Sequence, residues 1–168
     1  GATTSDGKNF WAIGQLSGVA YTTFGSTGTF TSVGPATDAG RTVNIYDGQL
    51  YGAFHEGATG SIKTVGTGLP TTASTYANLP GVASITLSPY NFYLCDLSSA
   101  VPGNDTLYLV DDAAGAVKKY SLVGGVWSDS GTIPVMAASK GLTGKVNGTS
   151  VQLFVTAMDT GGTGSGTL

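Results

Sequence analysis

Residues 106–133, TLYLVDDAAGAVKKYSLVGGVWSDSGTI, decide the fold. An apolar-aromatic run bends through Asp111-Asp112 and Gly115, a second run follows over 116–122, and a third leads through Trp127 after Gly124-Gly125. Short runs of Val, Leu, Tyr and Trp bounded by Gly and Asp are strand signals, and a two-glycine step between them marks a hairpin. Two further hairpins are expected. Asp47-Gly48 separates 42–46 from 49–54, and Asn147-Gly148 separates 142–146 from 150–157. Both pairs suit two-residue type I′ turns, whose central residues need positive φ. Gly or Pro interrupts almost every longer window, which leaves one helical candidate, a single turn over 96–100.

The same rhythm recurs along the chain. An apolar-aromatic pair occurs at Phe10-Trp11, Leu50-Tyr51, Leu107-Tyr108 and Leu153-Phe154, at successive spacings of 40, 57 and 46 residues. A glycine falls seven residues after the aromatic in two of the units, Gly18 after Trp11 and Gly115 after Tyr108. Arg41 precedes Tyr51 by ten residues and Lys140 precedes Phe154 by fourteen, each just ahead of its hairpin. The register drifts, so the expected unit is a structural repeat with loops of variable length. One all-β domain over 1–168 is expected, with approximate repeats 8–36, 37–70, 82–134 and 138–168.

Repeats of this length built of short antiparallel strands are how propeller blades look in sequence. A small sheet cannot bury both faces by itself and must pack against its neighbours. The expected fold is therefore a partial or small β-propeller of short antiparallel blades. A plain β-sandwich or jelly roll is the alternative, and a right-handed β-helix fits less well because its coils are shorter and more regular. Four units fall short of most propellers, and an open end exposes apolar surface and strand edges that demand a partner.

Residues 88–133, followed by KGLTGKVNGTSVQLFVT from Lys140, resemble the repeats of large secreted bacterial proteins that carry propeller-type domains. The pattern LY…DD…G…KYS…W and the start Lys140-Gly141-Leu142-Thr143-Gly144 carry the likeness, which covers about residues 41–168. A looser similarity extends to kelch and NHL-like propellers, without the paired-glycine strand of kelch or the Trp-Asp ending of WD repeats. The resemblance implies a fold and an extracellular setting, in which such modules bind, tether or build. It carries over no catalytic residues.

Composition narrows the setting. Hydrophobic residues make up 40% and charged residues 10%, with net charge −3 and seven Lys and Arg in total. Disorder is excluded by that hydrophobicity, and so few cations make nucleic acid and anionic membrane poor partners. No stretch approaches the roughly 20 apolar residues of a membrane span. The lone Cys95 excludes a disulfide within the chain and a multi-thiolate zinc site, and reads as a small buried hydrophobe. A lysine-poor, Gly/Ser/Thr-rich surface points to an extracellular or cell-surface glycoprotein, with sequons at Asn104 (NDT) and Asn147 (NGT). The chain opens GATTSDG and stops at GTGSGTL, as expected of an excerpt from a longer polypeptide.

Candidate chemistry is sparse. His55, beside Glu56 in a glycine-bearing bend, is the only histidine, and no nucleophile motif accompanies it. Its expected place is an exposed loop. Asp111 and Asp112 could contribute oxygens to calcium, although aspartates at strand ends commonly bond their own turn backbone. No other cofactor is expected. Tyr90, Phe92 and Tyr93, read as a loop after Ser88-Pro89, are the candidates for stacking on sugar rings; most other aromatics are expected in the core. Threonine alternation in YTTFGSTGTFT is ordinary strand behaviour, and TGGTGSGTL lacks the lysine of a phosphate loop.

The expected function is a noncatalytic extracellular module for adhesion, scaffolding or surface or filament assembly, with further copies of itself or adjoining domains as partners. The competing expectation is a carbohydrate-binding accessory domain of a secreted hydrolase. An enzyme would require His55 or the aspartates to converge in one pocket.

Overall fold

The computed structural model describes residues 1–37 and 39–158, and all regular structure among them is β. A first sheet runs β1 (Ala2–Thr3), β2 (Asn9–Gly14), β3 (Gly18–Thr23) and β4 (Thr31–Ser32). A second runs β5 (Gly40–Tyr46), β6 (Gln49–Glu56), β7 (Thr59–Val65) and β8 (Tyr76–Asn78). The third comprises β9 (Pro89–Cys95), β10 (Thr106–Asp111), β11 (Ala116–Val123) and β12 (Val126–Pro134), and the fourth pairs β13 (Ser139–Asn147) with β14 (Ser150–Ala157). Each sheet is an antiparallel meander in chain order. Residues 106–133 thus supply β10, β11 and most of β12.

Turn chemistry explains where the strands end. Asp47 and Gly48 both have positive φ, 48° and 71°, between the paired Tyr46 and Gln49, as a type I′ turn requires. The Asn147 hairpin differs from expectation by one residue. Asn147 pairs with Ser150, so the turn is Gly148-Thr149 with positive φ at the glycine alone, the type II′ pattern. No helix forms over 96–100. Instead the Asp105 carboxylate accepts the Leu97 and Ser98 backbone N–H groups at 3.1 and 2.6 Å, giving that backbone a non-helical partner.

Three hydrophobic cores lie between the four sheets in series. Trp11 and Val19 of the first sheet meet Val43, Leu50 and Val65 of the second. Ala53 and Ile62, on the other face of the second, meet Phe92, Leu94, Leu107 and Leu109 of the third. Cys95, Tyr108, Val110 and Val117, on the third sheet's other face, meet Leu142 with Val146, Val151, Leu153 and Val155 of the fourth. A two-layer sandwich has one core between two sheets, so this arrangement is a stack of small sheets. The rhythm in the sequence has a structural counterpart: Trp11, Tyr51, Tyr108 and Phe154 all lie on the second strand of their sheets. The sheet boundaries extend past those expected. The first begins at Ala2, the second continues to Asn78, and strands of two or three residues are too short to show alternation. Residues 159–168 of the last expected repeat lie outside the described residues.

First strands of neighbouring sheets lie against one another: β1 on β5, β5 on β9, and β9 on β13. An edge strand leaves backbone groups unpaired, and alternate residues of β5 satisfy those of β9. Thr42 Oγ1 donates to the Tyr90 carbonyl at 2.7 Å, while Asn44 Nδ2 and Tyr46 OH donate to the Phe92 carbonyl at 3.2 and 2.9 Å. Between the third and fourth sheets the approach depends on Gly144, where an added Cβ would sit 2.6 Å from the Tyr93 ring. Gly144→Val is therefore expected to destabilise the protein by about 1–3 kcal/mol in urea unfolding, against the strand preference for Val. Tyr93→Ala in the same chain should recover part of that loss; strictly additive effects would disprove the contact.

Candidate functional site

The first strands of three sheets share an irregularity. In β5 the register shifts between Gly40 and Thr42, leaving Arg41 as the extra residue. In β13 it shifts between Ser139 and Gly141, leaving Lys140 extra. In β9, Pro89 and Phe92 pair with Asp111 and Leu109, so Tyr90 and Asn91 oppose Val110 alone. A bulge re-aims the side chain that it carries, and these three bulges bring Arg41, Tyr90 and Lys140 together.

They meet at Asp112, in the turn after β10. Arg41 Nη1 bonds Asp112 Oδ1 at 3.1 Å and Lys140 Nζ bonds Oδ2 at 2.7 Å. The Tyr90 ring lies beneath both cations, 4.2 Å from Lys140 Nζ and 5.1 Å from the Arg41 guanidinium carbon. Only 15% of the Asp112 side chain is exposed, so the ion pairs are poorly screened by solvent. Burial pushes its pKa up, but hydrogen bonds from Lys140 and Ser88 and the charges of Arg41 and Lys140 outweigh it and bring the carboxyl to about 2. One carboxylate thus links the second, third and fourth sheets.

Asp111, next to it, has a different task. Its Oδ1 accepts backbone N–H groups from Ser88, Ala113 and Ala114 at 3.2, 3.2 and 3.3 Å, which shapes the β10–β11 turn. The two aspartates, candidates for a cation in the sequence, serve separate partners, and Asp111 bonds its own turn backbone as strand-end aspartates commonly do. Among the described residues no group of three or more His, Cys, Asp or Glu is arranged to hold a metal.

His55 lies on β6, half-buried, rather than in an exposed loop. Its Nδ1 is 3.2 Å from Arg41 Nη2. A guanidinium has only donors, so Nδ1 must accept and the ring proton sits on Nε2. Arg41 Nη1 also donates to Ser88 Oγ at 2.9 Å. His55 and Ser88 are thus both tied to one guanidinium, and neither histidine nitrogen offers a free lone pair to activate the hydroxyl. These two residues, with Leu87, Asp111, Ala113 and Ala114, line a hollow of about 410 Å³. No buried side-chain oxygen or nitrogen among the described residues lacks a partner.

The aromatic stacking trio is separated by its strand. Pro89–Cys95 is β9, so successive side chains point to opposite faces. Phe92 is fully buried in the core between the second and third sheets and cannot stack on a ligand. Tyr93 packs into the next core, and Tyr90 carries the two cations. The sequons differ too. Asn104 is half-buried and donates to Asp47 Oδ2 at 2.6 Å, and the Thr106 of its sequon is buried. Asn147 is exposed at a hairpin end. Cys95 is 4% exposed, and burial pushes its thiol up to about 11.

Arg41, Lys140 and Ser88 were not expected in a site. A signal existed: two of only seven Lys and Arg stand at corresponding places ahead of two hairpins. A comparison of the chain with family models matches none, and a comparison with curated proteins finds no match.

Two outcomes follow. Because the folded Asp112 pKa lies below its unfolded value, its contribution of roughly 2 kcal/mol is complete above about pH 5 and disappears as pH falls through about 2. Asp112→Asn should lower stability by that amount at pH 7 and converge with the parent near pH 2; an equal gap at both pH values would contradict the linkage. Cys95 should resist iodoacetamide in the folded protein and label only as fast as the chain unfolds, because alkylation needs an accessible thiolate.

Proposed function

We propose that this chain is an extracellular, noncatalytic module of β-propeller type that joins polypeptides in adhesion, scaffolding or surface assembly. One observation carries the reading. The three internal cores are each closed by a neighbouring sheet, whereas on the outermost sheets Phe30 and Phe154 stand exposed, at 64% and 49%. Exposed apolar faces of this kind mark interaction surfaces. The serial contacts of first strands suit blades arranged around an axis, with the Asp112 cluster tying three of them. The binding of His55 and Ser88 to Arg41 supports a noncatalytic role, and the low charge supports an extracellular one.

Light scattering over a micromolar to millimolar concentration series tests the reading. Mass should rise with concentration; a strict monomer throughout would overturn assembly through these faces.

A second reading, carbohydrate binding, is favoured by the hollow and not by the aromatic trio. The hollow is lined by His55, Ser88 and Asp111 together with small apolar side chains, a combination that suits a hydroxylated ligand. Calorimetry against a polysaccharide panel, with His55→Ala as control, should then detect binding that the variant loses; no heat from any member would remove this reading.

A further inference from the structure

The end faces are related to each other by the repeat itself, and this deepens the proposed assembly role, on which the inference rests. Trp11 on β2, Tyr51 on β6 and Tyr108 on β10 each pack toward the sheet that follows. Phe154 holds the same place on β14 and points the same way, opposite the face of Leu153 and Val155 that covers the third sheet. No described sheet follows it. Across the strand pair it stands opposite Thr143, and Gln152 and Thr156 share its exposed face.

The neighbours of each aromatic give the complementary rule. Leu50 precedes Tyr51, Leu107 and Leu109 flank Tyr108, and all three are fully buried against the preceding sheet. Leu153 and Val155, flanking Phe154, pack against the third sheet likewise. In the first sheet those positions are Phe10 and Ala12. They lie on the face away from the second sheet, since Trp11, Ile13, Val19 and Tyr21 occupy the other. There Phe10, Ala12, Thr22 and Phe30 line an apolar hollow of about 290 Å³.

We infer that the occupant of this hollow is a second copy of the same chain, docked head to tail. The fourth sheet of one copy, led by Phe154, seats on the back of the first sheet of the next, continuing the stacking step used at the three internal cores. The contact is heterologous, so the two surfaces differ and each copy offers one of each. Two copies then close into a ring, or many extend into a filament.

Complementary variants test the pairing in the full chain. Phe154→Asp blocks every forward face and Phe10→Asp every back face, with Phe30→Asp as a second back-face variant whose exposed position spares the core. Circular dichroism and unfolding curves verify that each variant is folded. Each alone should weaken association by about 30-fold or more, as expected when a central aromatic anchor is removed. Mixed in equal amounts, a forward-face and a back-face variant should form heterodimers through the one intact pair of faces. If the parent associates but the single variants associate equally well, the pairing is wrong while the assembly role stands. Single variants that dissociate without heterodimers in the mixture would indicate a face paired with itself, which also overturns the proposal. A parent chain that never associates would sink both.

Discussion

A small β-sheet has two faces and very little rim, and this constraint organises the whole molecule. The second and third sheets are apolar on both sides, so neither can leave one side in water. Each is therefore sandwiched between neighbours. A fully buried Leu or Phe contributes about 1.5–3 kcal/mol relative to exposure. Phe54, Phe92, Leu50, Leu107 and Leu109 alone, all essentially inaccessible, thus outweigh the roughly 2 kcal/mol of the Asp112 charge cluster. Apolar stacking holds the sheets together; charge has another role.

That role is register. Apolar faces slide over one another with little penalty, but a carboxylate gripped by cations from two other sheets does not. Arg41 and Lys140 reach Asp112 only because their strands bulge at the same place, and the Tyr90 ring supplies a floor for both. Hydrogen bonds from Thr42, Asn44 and Tyr46 to β9 carbonyls act alongside, since they are directional and tolerate no slip. A chain with few charges has placed two of its cations where three sheets converge. The same arrangement occupies the lone histidine. Arg41 fixes its tautomer, so the residue that would ordinarily suggest catalysis is part of the bracing.

The internal stacking also gives the outer faces their meaning. A sheet that repeats the pattern of its neighbours repeats their demand for cover, whether or not a neighbour is there. The exposed Phe154 follows from a rule that is satisfied at Trp11, Tyr51 and Tyr108.

Local chemistry was written in the sequence. Asp47-Gly48 specifies a turn because positive φ suits few other pairs, and the short Val-, Leu-, Tyr- and Trp-bearing runs of residues 106–133, bounded by Gly and Asp, specify strands because such side chains favour an extended, packed backbone. The recurrence of an apolar-aromatic pair was legible for the same reason: it is a property of neighbours along the chain. Which face each aromatic covers, that Phe92 is core while Tyr90 holds cations, and that His55 meets Arg41 were settled only by the tertiary structure. Those contacts join residues such as Arg41 and Asp112, or Ser88 and Arg41, far apart in sequence and brought together by bulges and sheet packing. Short-range sterics are encoded residue by residue; a bulge that turns one side chain by a strand's width leaves almost no local trace.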